Sequence, residues 1–347
     1  MDDPVIVVGG GPAGAAAAIA ARLEGALVRL IERRRSPRHK VCGEFISPGG
    51  RYCMESLGVW EEFSALSPCC ITRCKLHFGR RTKQWRLPEC AWGMSRLQLD
   101  SLLLRKAVRL GTEVSWGEVF DGRRQNFATS RLVVASGRNN ALRRNALPGT
   151  DRLFGFKAHF RGGLDDAVEL FFDKYGYVGV SGIEDQLTNV CGIAQESVLR
   201  KYRFDFDALV RRSPSIADRL DPLRRTLRWV VVGPICFSPP QRRSLLDRVY
   251  PAGDALGFID PFTGSGILNA LLTGRMAGRA AARGVSAHEY LDACASLLTR
   301  PFAFSSVLRS LTNRMPFLGC ALYLPGQLLF RWTRARVASA NHLYRME

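Results

Sequence analysis

The chain has 347 residues, 46% of them hydrophobic and 23% charged, which allows two packed lobes with cores and does not indicate disorder. Its formal net charge is +19, carried mostly by arginine. The basic residues are spread along the chain, and no helix-turn-helix, zinc-finger, RRM or KH pattern accompanies them. The sequence therefore does not predict nucleic-acid binding, and leaves a membrane surface or an anionic cofactor and substrate as partners of the charge.

The N-terminus does not resemble a secretion signal. Met1 to Pro4 are acidic and lead directly into apolar and glycine residues, without a basic n-region or a cleavage site. We therefore expect a protein of the cytoplasm or of the inner face of the membrane, with its ten cysteines as thiols. Cys69, Cys70, Cys74 and Cys90 lack the paired C-x-x-C spacing of structural zinc sites, so no metal is predicted.

The first thirty-two residues carry a dinucleotide-binding pattern. A β-branched run, Val5 to Val8, predicts a buried parallel strand that ends in a G-x-G-x-x-G turn, an alanine-rich helix and a second strand. The glycines allow a tight turn, close approach of a diphosphate and helix–strand packing, while the helix N-terminus attracts the diphosphate. Glu32, at the end of the second strand, is placed to accept hydrogen bonds from the ribose hydroxyls. The pattern does not distinguish NAD from FAD, and its candidate binding residues are Gly9, Gly11, Pro12, Ala13, Gly14, Glu32 and Arg33.

A later segment, residues 248–267, contains a short apolar strand, a Gly-Asp pair, a loop with glycines and prolines, and a helix start near Gly266. It resembles the second FAD fingerprint of the p-hydroxybenzoate-hydroxylase-fold flavoproteins, and most of all that of the geranylgeranyl-reductase branch. The resemblance implies that Asp254 binds the ribityl chain and that the loop and helix start line the flavin. The residues that it places at the cofactor are Gly253, Asp254, Pro261, Gly264, Ser265, Gly266 and Ile267.

Three further stretches resemble the same family. Ser95 to Asp100 is similar to its Arg-x-x-x-Asp helix start, which implies that Arg96 lies along the cofactor. Lys40 to Glu44 is similar to the stretch that the reductases place near the flavin, which implies Cys42 and Gly43 at that site. Gly176-Tyr177, followed by 189–192, is similar to the strand pair that covers the flavin's face.

One position departs from the family pattern. Flavoprotein hydroxylases carry Asp-Gly after the strand that corresponds to 132–135, whereas this chain has Ser136-Gly137-Arg138. Gly137 remains a candidate cofactor residue. Because the family's aspartate is tied to diphosphate and NAD(P)H handling, the electron donor stays open between NAD(P)H and another reductant.

The resemblance implies an α/β fold with a Rossmann-like FAD-binding lobe, an interleaved antiparallel-sheet substrate lobe and C-terminal helices. We expect the cofactor lobe at 1–74, 93–149 and 248–284, the substrate lobe at 75–92 and 150–247, and a helical segment at 285–347. Alternating apolar residues predict substrate-lobe strands at 167–172, 177–183 and 227–234. Within residues 304–336, a largely apolar stretch ends at Phe330 and is followed by Arg331, Arg334 and Arg336, which is typical either of a peripheral membrane contact or of helices packed on the cofactor lobe.

These patterns predict an FAD-dependent oxidoreductase, and the resemblance favours a reductase of carbon–carbon double bonds in an apolar, isoprenoid or polyketide-derived substrate. Tyr177 and Cys42 are the candidates for positioning or protonating that substrate. A flavin monooxygenase acting on an apolar or aromatic substrate is the alternative; a flavin halogenase is disfavoured because its Trp-x-Trp-x-Ile-Pro segment is missing. A basic membrane-surface or nucleic-acid-binding protein without turnover is the alternative from another class.

Overall fold

The structure is a computed structural model that describes residues 4–121, 130–138, 151–244, 246–312 and 325–335. Its helices are α1 (Pro12–Leu23), α2 (Gly49–Ser56), α3 (Trp60–Ala65), α4 (Arg96–Arg109), α5 (Glu196–Lys201), α6 (Phe206–Val210), α7 (Pro214–Leu220), α8 (Gly266–Arg283), α9 (Ala287–Thr312) and α10 (Gly326–Trp332). Its strands are β1 (Val5–Val8), β2 (Val28–Glu32), β3 (Phe45–Ile46), β4 (Cys69–Phe78), β5 (Arg81–Gly93), β6 (Glu113–Trp116), β7 (Leu132–Val134), β8 (Leu153–Arg161), β9 (Ala167–Asp173), β10 (Gly176–Gly182), β11 (Leu187–Gln195), β12 (Arg224–Arg225), β13 (Val230–Ile235) and β14 (Val249–Pro251).

The first sheet is parallel and has the order β14-β7-β1-β2-β6. The strand β14, distant in sequence, forms one edge of this sheet and pairs with β7. Parallel strands end at one edge of a sheet, so the turns after β1, β2, β7 and β14 meet there. This edge is where the two glycine-containing segments come together.

Close packing of α1 against α8 joins these two segments. A Cβ added at Gly274 would lie 2.1 Å from the carbonyl oxygen of Ala13, and one at Gly278 would lie 2.1 Å from that of Ala17. Only glycine lets the helices approach so closely. The small residues of the predicted helix therefore pack against α1, where they complete the main hydrophobic core.

The second sheet has the order β12-β8-β11-β10-β9-β4-β5-β3, with β13 also paired to β8. Its pairs are antiparallel except for β4 with β9, which are parallel. The strand β9 covers the predicted 167–172, β10 ends one residue before the predicted 177–183 does, and β13 begins three residues later than the pattern indicated. The proposed lobe boundary at residue 74 lies inside β4, a strand of this second sheet.

The expectation that all ten cysteines are thiols is wrong for two of them, because a disulfide joins Cys70 and Cys90, whose Cα atoms are 6.1 Å apart. The two residues lie on the antiparallel neighbours β4 and β5. The register shifts between Ile71 and Arg73, where β5 has three more residues than β4. This irregularity brings Cys90 beside Cys70. The other cysteines of the described residues are unbonded.

The described part of the C-terminal segment packs onto the protein. Leu308, Leu329 and Phe330 are buried, and Gly326 contacts the ring of Trp85 on β5. Residues 313–324 and 336 of the segment lie outside the described residues. Among the described helices, none is both long enough and apolar enough to cross a membrane.

Candidate functional site

The glycine-rich turn after β1 is built around close backbone contacts. Gly9 has a φ of +104°, and a Cβ there would lie 2.4 Å from the carbonyl oxygen of Ala135. A Cβ at Gly14 would lie 1.8 Å from the carbonyl oxygen of Gly9. At Gly11, in contrast, the nearest atom to a Cβ would be an Nη2 of Arg96 at 3.7 Å. Gly9 and Gly14 therefore fix the turn, and Gly11 leaves open backbone in front of the α1 N-terminus, which attracts anions.

Glu32 is held at the predicted position by backbone donors. Its Oε2 accepts from the amide of Gly10 at 2.7 Å, and its Oε1 accepts from the amide of Arg34 at 2.9 Å. A carboxylate has further lone pairs, so these contacts orient Glu32 and leave acceptor capacity for ribose hydroxyls. Arg33 is exposed beside it, without a described side-chain partner that would place it in the cleft.

Arg96 lies beside the glycine-rich turn, in the first turn of α4. Its Nε and Nη2 donate to the two carboxylate oxygens of Asp100 at 2.8 and 2.9 Å, and Lys40 also donates to Asp100 at 2.8 Å. Asp100 is completely buried. Burial opposes the charge of Arg96, but Asp100 and then Cys42 raise the pKa of its guanidinium overall. Arg96 is therefore a fixed cation whose charge is largely matched by Asp100.

The Cys42-Gly43-Glu44 stretch is tied to the second sheet. The side-chain amide of Asn189, on β11, donates to the carbonyl oxygens of Cys42 and Gly43 at 3.1 and 2.9 Å. Glu44 is completely buried and accepts from the amide of Arg96 at 2.6 Å, from the ammonium of Lys157 and from Nε2 of His159 at 2.7 Å. Glu44 thus links the predicted flavin stretch to α4 and to β8.

The charges around Glu44 favour an ion-pair cluster over a metal centre. Burial alone would raise the pKa of Glu44, but the hydrogen bond from His159 and the charge of Lys157 lower it overall. His39, Glu44 and His159 are a His/Glu group with ligand atoms close enough for one ion. Lys157, however, already neutralises the carboxylate, and His159 bonds it directly.

The second glycine segment follows β14 and ends in the first turn of α8. Gly253 has a φ of +61°, and a Cβ there would meet that of Ala13 at 2.8 Å. Burial raises the pKa of Asp254, while the charges of Arg138 and Arg96 oppose that rise. Gly264 has a φ of +66° and sits against Phe45. Asp254 and the loop of 261–264 therefore lie at the same cleft as the glycine-rich turn.

Apolar side chains from both lobes form a wall beside this loop. Tyr177 is 9% exposed, and its ring packs edge-on to Phe262 at 6.3 Å and tilted against Phe172 at 5.8 Å. Phe237 and Phe258 stack at 5.6 Å. Burial, followed by the charges of Asp260, Cys191 and Cys42, raises the pKa of Tyr177 well above its ordinary value. The phenol is therefore neutral at pH 7 and can donate a hydrogen bond.

The predicted residues thus converge on one cleft, with the exception of Arg33. Cys42 lies close enough to Arg96 and to Tyr177 to shift the pKa of both side chains. Arg96 likewise lies close enough to Asp254 to shift the pKa of that carboxyl. The assignment of individual residues to the cofactor stays a prediction. Sequence reasoning missed the buried polar residues Lys157 and His159, although their two-residue spacing inside the apolar strand β8 was a usable signal.

The residues of the cleft fit FAD. The open backbone at Gly11 and the N-terminus of α1 suit a diphosphate. Asn269, in the first turn of α8, is 7% exposed, and neither its Oδ1 nor its Nδ2 has a described partner. A buried amide without partners is costly, and a polar ring edge next to the α8 N-terminus would satisfy it. Gly11, Asp254 and Asn269 would then hold the diphosphate, the ribityl chain and the ring in that order.

Comparison with known proteins gives an FAD-binding family model and a reductase as a relative. A family model described as FAD binding domain matches residues 2–144. A digeranylgeranylglycerophospholipid reductase of Methanopyrus kandleri is 28% identical over 340 residues, which cover 86% of this chain and 81% of that protein.

Two solved structures show the same fold. The flavin-dependent brominase Bmp2, as a triple mutant, has a TM-score of 0.78 at 19% identity, with 98% of this chain and 97% of that chain covered. A geranylgeranyl bacteriochlorophyll reductase-like protein from Thermoplasma acidophilum has a TM-score of 0.71 at 19% identity, with 98% and 95% covered. The family model marks residues 2–144 as an FAD-binding domain, and these similarities show that the chain is an FAD-dependent oxidoreductase, similar in sequence to the geranylgeranyl reductases and similar in fold to a flavin-dependent brominase.

Proposed function

We propose that this enzyme reduces carbon–carbon double bonds in an apolar, isoprenoid or polyketide-derived substrate. The observation that carries the proposal is the wall of Tyr177, Phe172, Phe262, Phe237 and Phe258 beside the predicted flavin loop. Such a wall binds hydrocarbon by burying it from water and excludes solvent from the reaction. Relatives named as digeranylgeranylglycerophospholipid reductases, matched over 86% and 81% of the chain, support the same class of substrate.

The roles divide between cofactor and protein. FAD, when bound and reduced, supplies a hydride. Saturating a double bond also requires one proton at the second carbon, and a protein group has to hold that proton near the wall. The neutral phenol of Tyr177 is the candidate donor, because it lies among the apolar side chains and is held in its protonated form by burial. Cys42 is the second candidate from the same cleft.

The proposal includes no membrane contact. Leu308, Leu329 and Phe330 of the C-terminal segment are buried within the protein and are not available to lipid. An apolar substrate can instead be extracted from a carrier or a micelle. The proposal does not specify the reductant of FAD, for which NAD(P)H and another electron donor are the two alternatives.

Proteins of the same fold also catalyse two other reactions, so an experiment on this enzyme has to distinguish them from reduction of a double bond. A monooxygenase would add oxygen to an apolar or aromatic substrate. A halogenase would add a halogen, and a brominase is among the similar structures, although its likeness concerns the fold alone. Neither reaction has a residue pattern in this chain that favours it over reduction.

Tyr177→Phe tests the proton role. The probe is digeranylgeranylglycerophospholipid in detergent, incubated with dithionite-reduced enzyme under argon, and the readout is its saturation by mass spectrometry. We expect Tyr177→Phe to bind FAD normally and to lose activity by about 100-fold, the lower range for general acid catalysis. Tyr202→Phe, at the C-terminal end of α5, is the matched control and should stay active. Full activity of Tyr177→Phe would remove the phenol from the mechanism, and an unaltered probe in the wild-type reaction would reject this lipid as substrate.

A further inference from the structure

Arg138 lies where the two glycine segments meet. It follows Gly137, which has a φ of +71°, directly after β7. The residue at the end of that strand, Ala135, packs on the glycine-rich turn, since a Cβ at Gly14 would lie 3.3 Å from its side chain. The loop that carries Arg138 is therefore adjacent to the predicted diphosphate site.

The charge of Arg138 is poorly matched by the protein. Burial lowers the pKa of its guanidinium, and the charge of Arg96 lowers it further, while the charges of Asp254 and Cys42 act in the opposite direction. Arg96 differs, because it makes two hydrogen bonds to Asp100. Among the described residues, no carboxylate lies within ion-pair distance of Arg138. Arg138 is therefore a partly buried cation of this site without an ion-pair partner among the described residues.

The orientation of Arg138 leaves its N–H edge available. The guanidinium carbon lies 5.1 Å from the ring centroid of Phe258, as in a cation–π contact. Phe258 is in turn stacked on Phe237, with 8° between the ring planes. A guanidinium that stacks its face on an aromatic ring can still donate hydrogen bonds from the N–H groups along its edge. Two such N–H groups fit two oxygens of a phosphate.

We propose that Arg138 binds the diphosphate of FAD through its N–H edge while its face rests on Phe258. The guanidinium of Arg138 then provides a positive charge for the diphosphate, whereas the charge of Arg96 is paired with Asp100. The sequence signal is the Ser136-Gly137-Arg138 stretch, which stands where hydroxylases carry Asp-Gly. This role goes beyond the proposed reaction, because a reductase and a monooxygenase need the same cofactor contact.

Titration of the apoprotein with FAD tests the proposal, with quenching of flavin fluorescence as the readout. Arg138→Gln should raise the Kd for FAD at least ten-fold, because a charged hydrogen bond to phosphate is lost. Its Kd for riboflavin, which has no diphosphate, should change less than three-fold. Arg138→Lys keeps the charge but not the fork of donors, so it should fall between the wild type and Arg138→Gln.

Arg152→Gln is the matched control. It removes another arginine that contacts a phenylalanine ring, that of Phe154 at 5.9 Å, and its side chain is half-exposed and paired with Glu196. This variant should bind FAD like the wild type. An unchanged FAD affinity in Arg138→Gln would overturn the proposal. An equal loss for FAD and riboflavin would also overturn it, because Arg138 would then shape the cleft without contacting the diphosphate.

Discussion

Glu44 and Lys157 form an ion pair in which both side chains are completely buried, although 113 residues separate them in the chain. An ion pair in an apolar interior gains little over a hydrophobic pair, but each partner alone is very costly. Glu44 directly follows the Cys42-Gly43 stretch, and Lys157 lies in the middle of β8. The pair therefore fixes the predicted flavin stretch to the second sheet.

Lys157→Met should destabilise the protein by about 3–5 kcal/mol at pH 7, since it leaves the Glu44 carboxylate buried without its main cation. Urea unfolding followed by circular dichroism measures the change. The double variant Glu44→Gln with Lys157→Met removes both charges and should recover part of the loss. Equal stability of the wild type and Lys157→Met would show that the pair does not have this role.

Gly14→Ala and Gly11→Ala should separate folding from cofactor binding. A Cβ at residue 14 would overlap the carbonyl oxygen of Gly9 at 1.8 Å, so the first variant should lower the melting temperature of the apoprotein. A Cβ at residue 11 meets nothing closer than 3.7 Å, so the second should fold normally and bind FAD more weakly. Differential scanning calorimetry and FAD titration are the measurements. Normal FAD affinity in Gly11→Ala would place the diphosphate elsewhere.

Asp260→Asn should stabilise the protein at neutral pH. Burial raises the pKa of Asp260 to about 6, from an ordinary value of 3.8. Because the folded state binds this proton more tightly than the unfolded state, stability falls as the pH rises from about 4 to about 6 and stays reduced above that range. Asparagine keeps the acceptor for the amide of Phe262 and has no charge to bury.

The variant should therefore be more stable than the wild type by about 3 kcal/mol at pH 7.5, and about equally stable at pH 4. Thermal unfolding at the two pH values gives the comparison. The same difference at both values, or a less stable variant at pH 7.5, would mean that the carboxylate of Asp260 is well solvated or well paired with Arg309.

Local patterns predicted much of the cofactor lobe. The β1-α1-β2 unit, the Gly-Asp segment and α8 lie where the sequence indicated, because short-range turn chemistry and helical spacing determine them. The partners of Lys157, His159 and Asn189 could not be assigned in this way, although the resemblance already implied that 189–192 covers the flavin. Their contacts to the Cys42–Glu44 stretch depend on how β8 and β11 pack over the cofactor lobe, which no local pattern specifies. The Cys70–Cys90 disulfide likewise depends on the register shift between β4 and β5.

The central claim is that the enzyme adds hydrogen to an apolar alkene. Its most direct test is mass spectrometry of an apolar cell extract incubated with dithionite-reduced enzyme, in matched anaerobic and aerated tubes that both contain bromide. The account predicts products that gain two hydrogens per double bond in the anaerobic tube. Products that gain one oxygen or one bromine, and form only in the aerated tube, would contradict it and identify a monooxygenase or a halogenase.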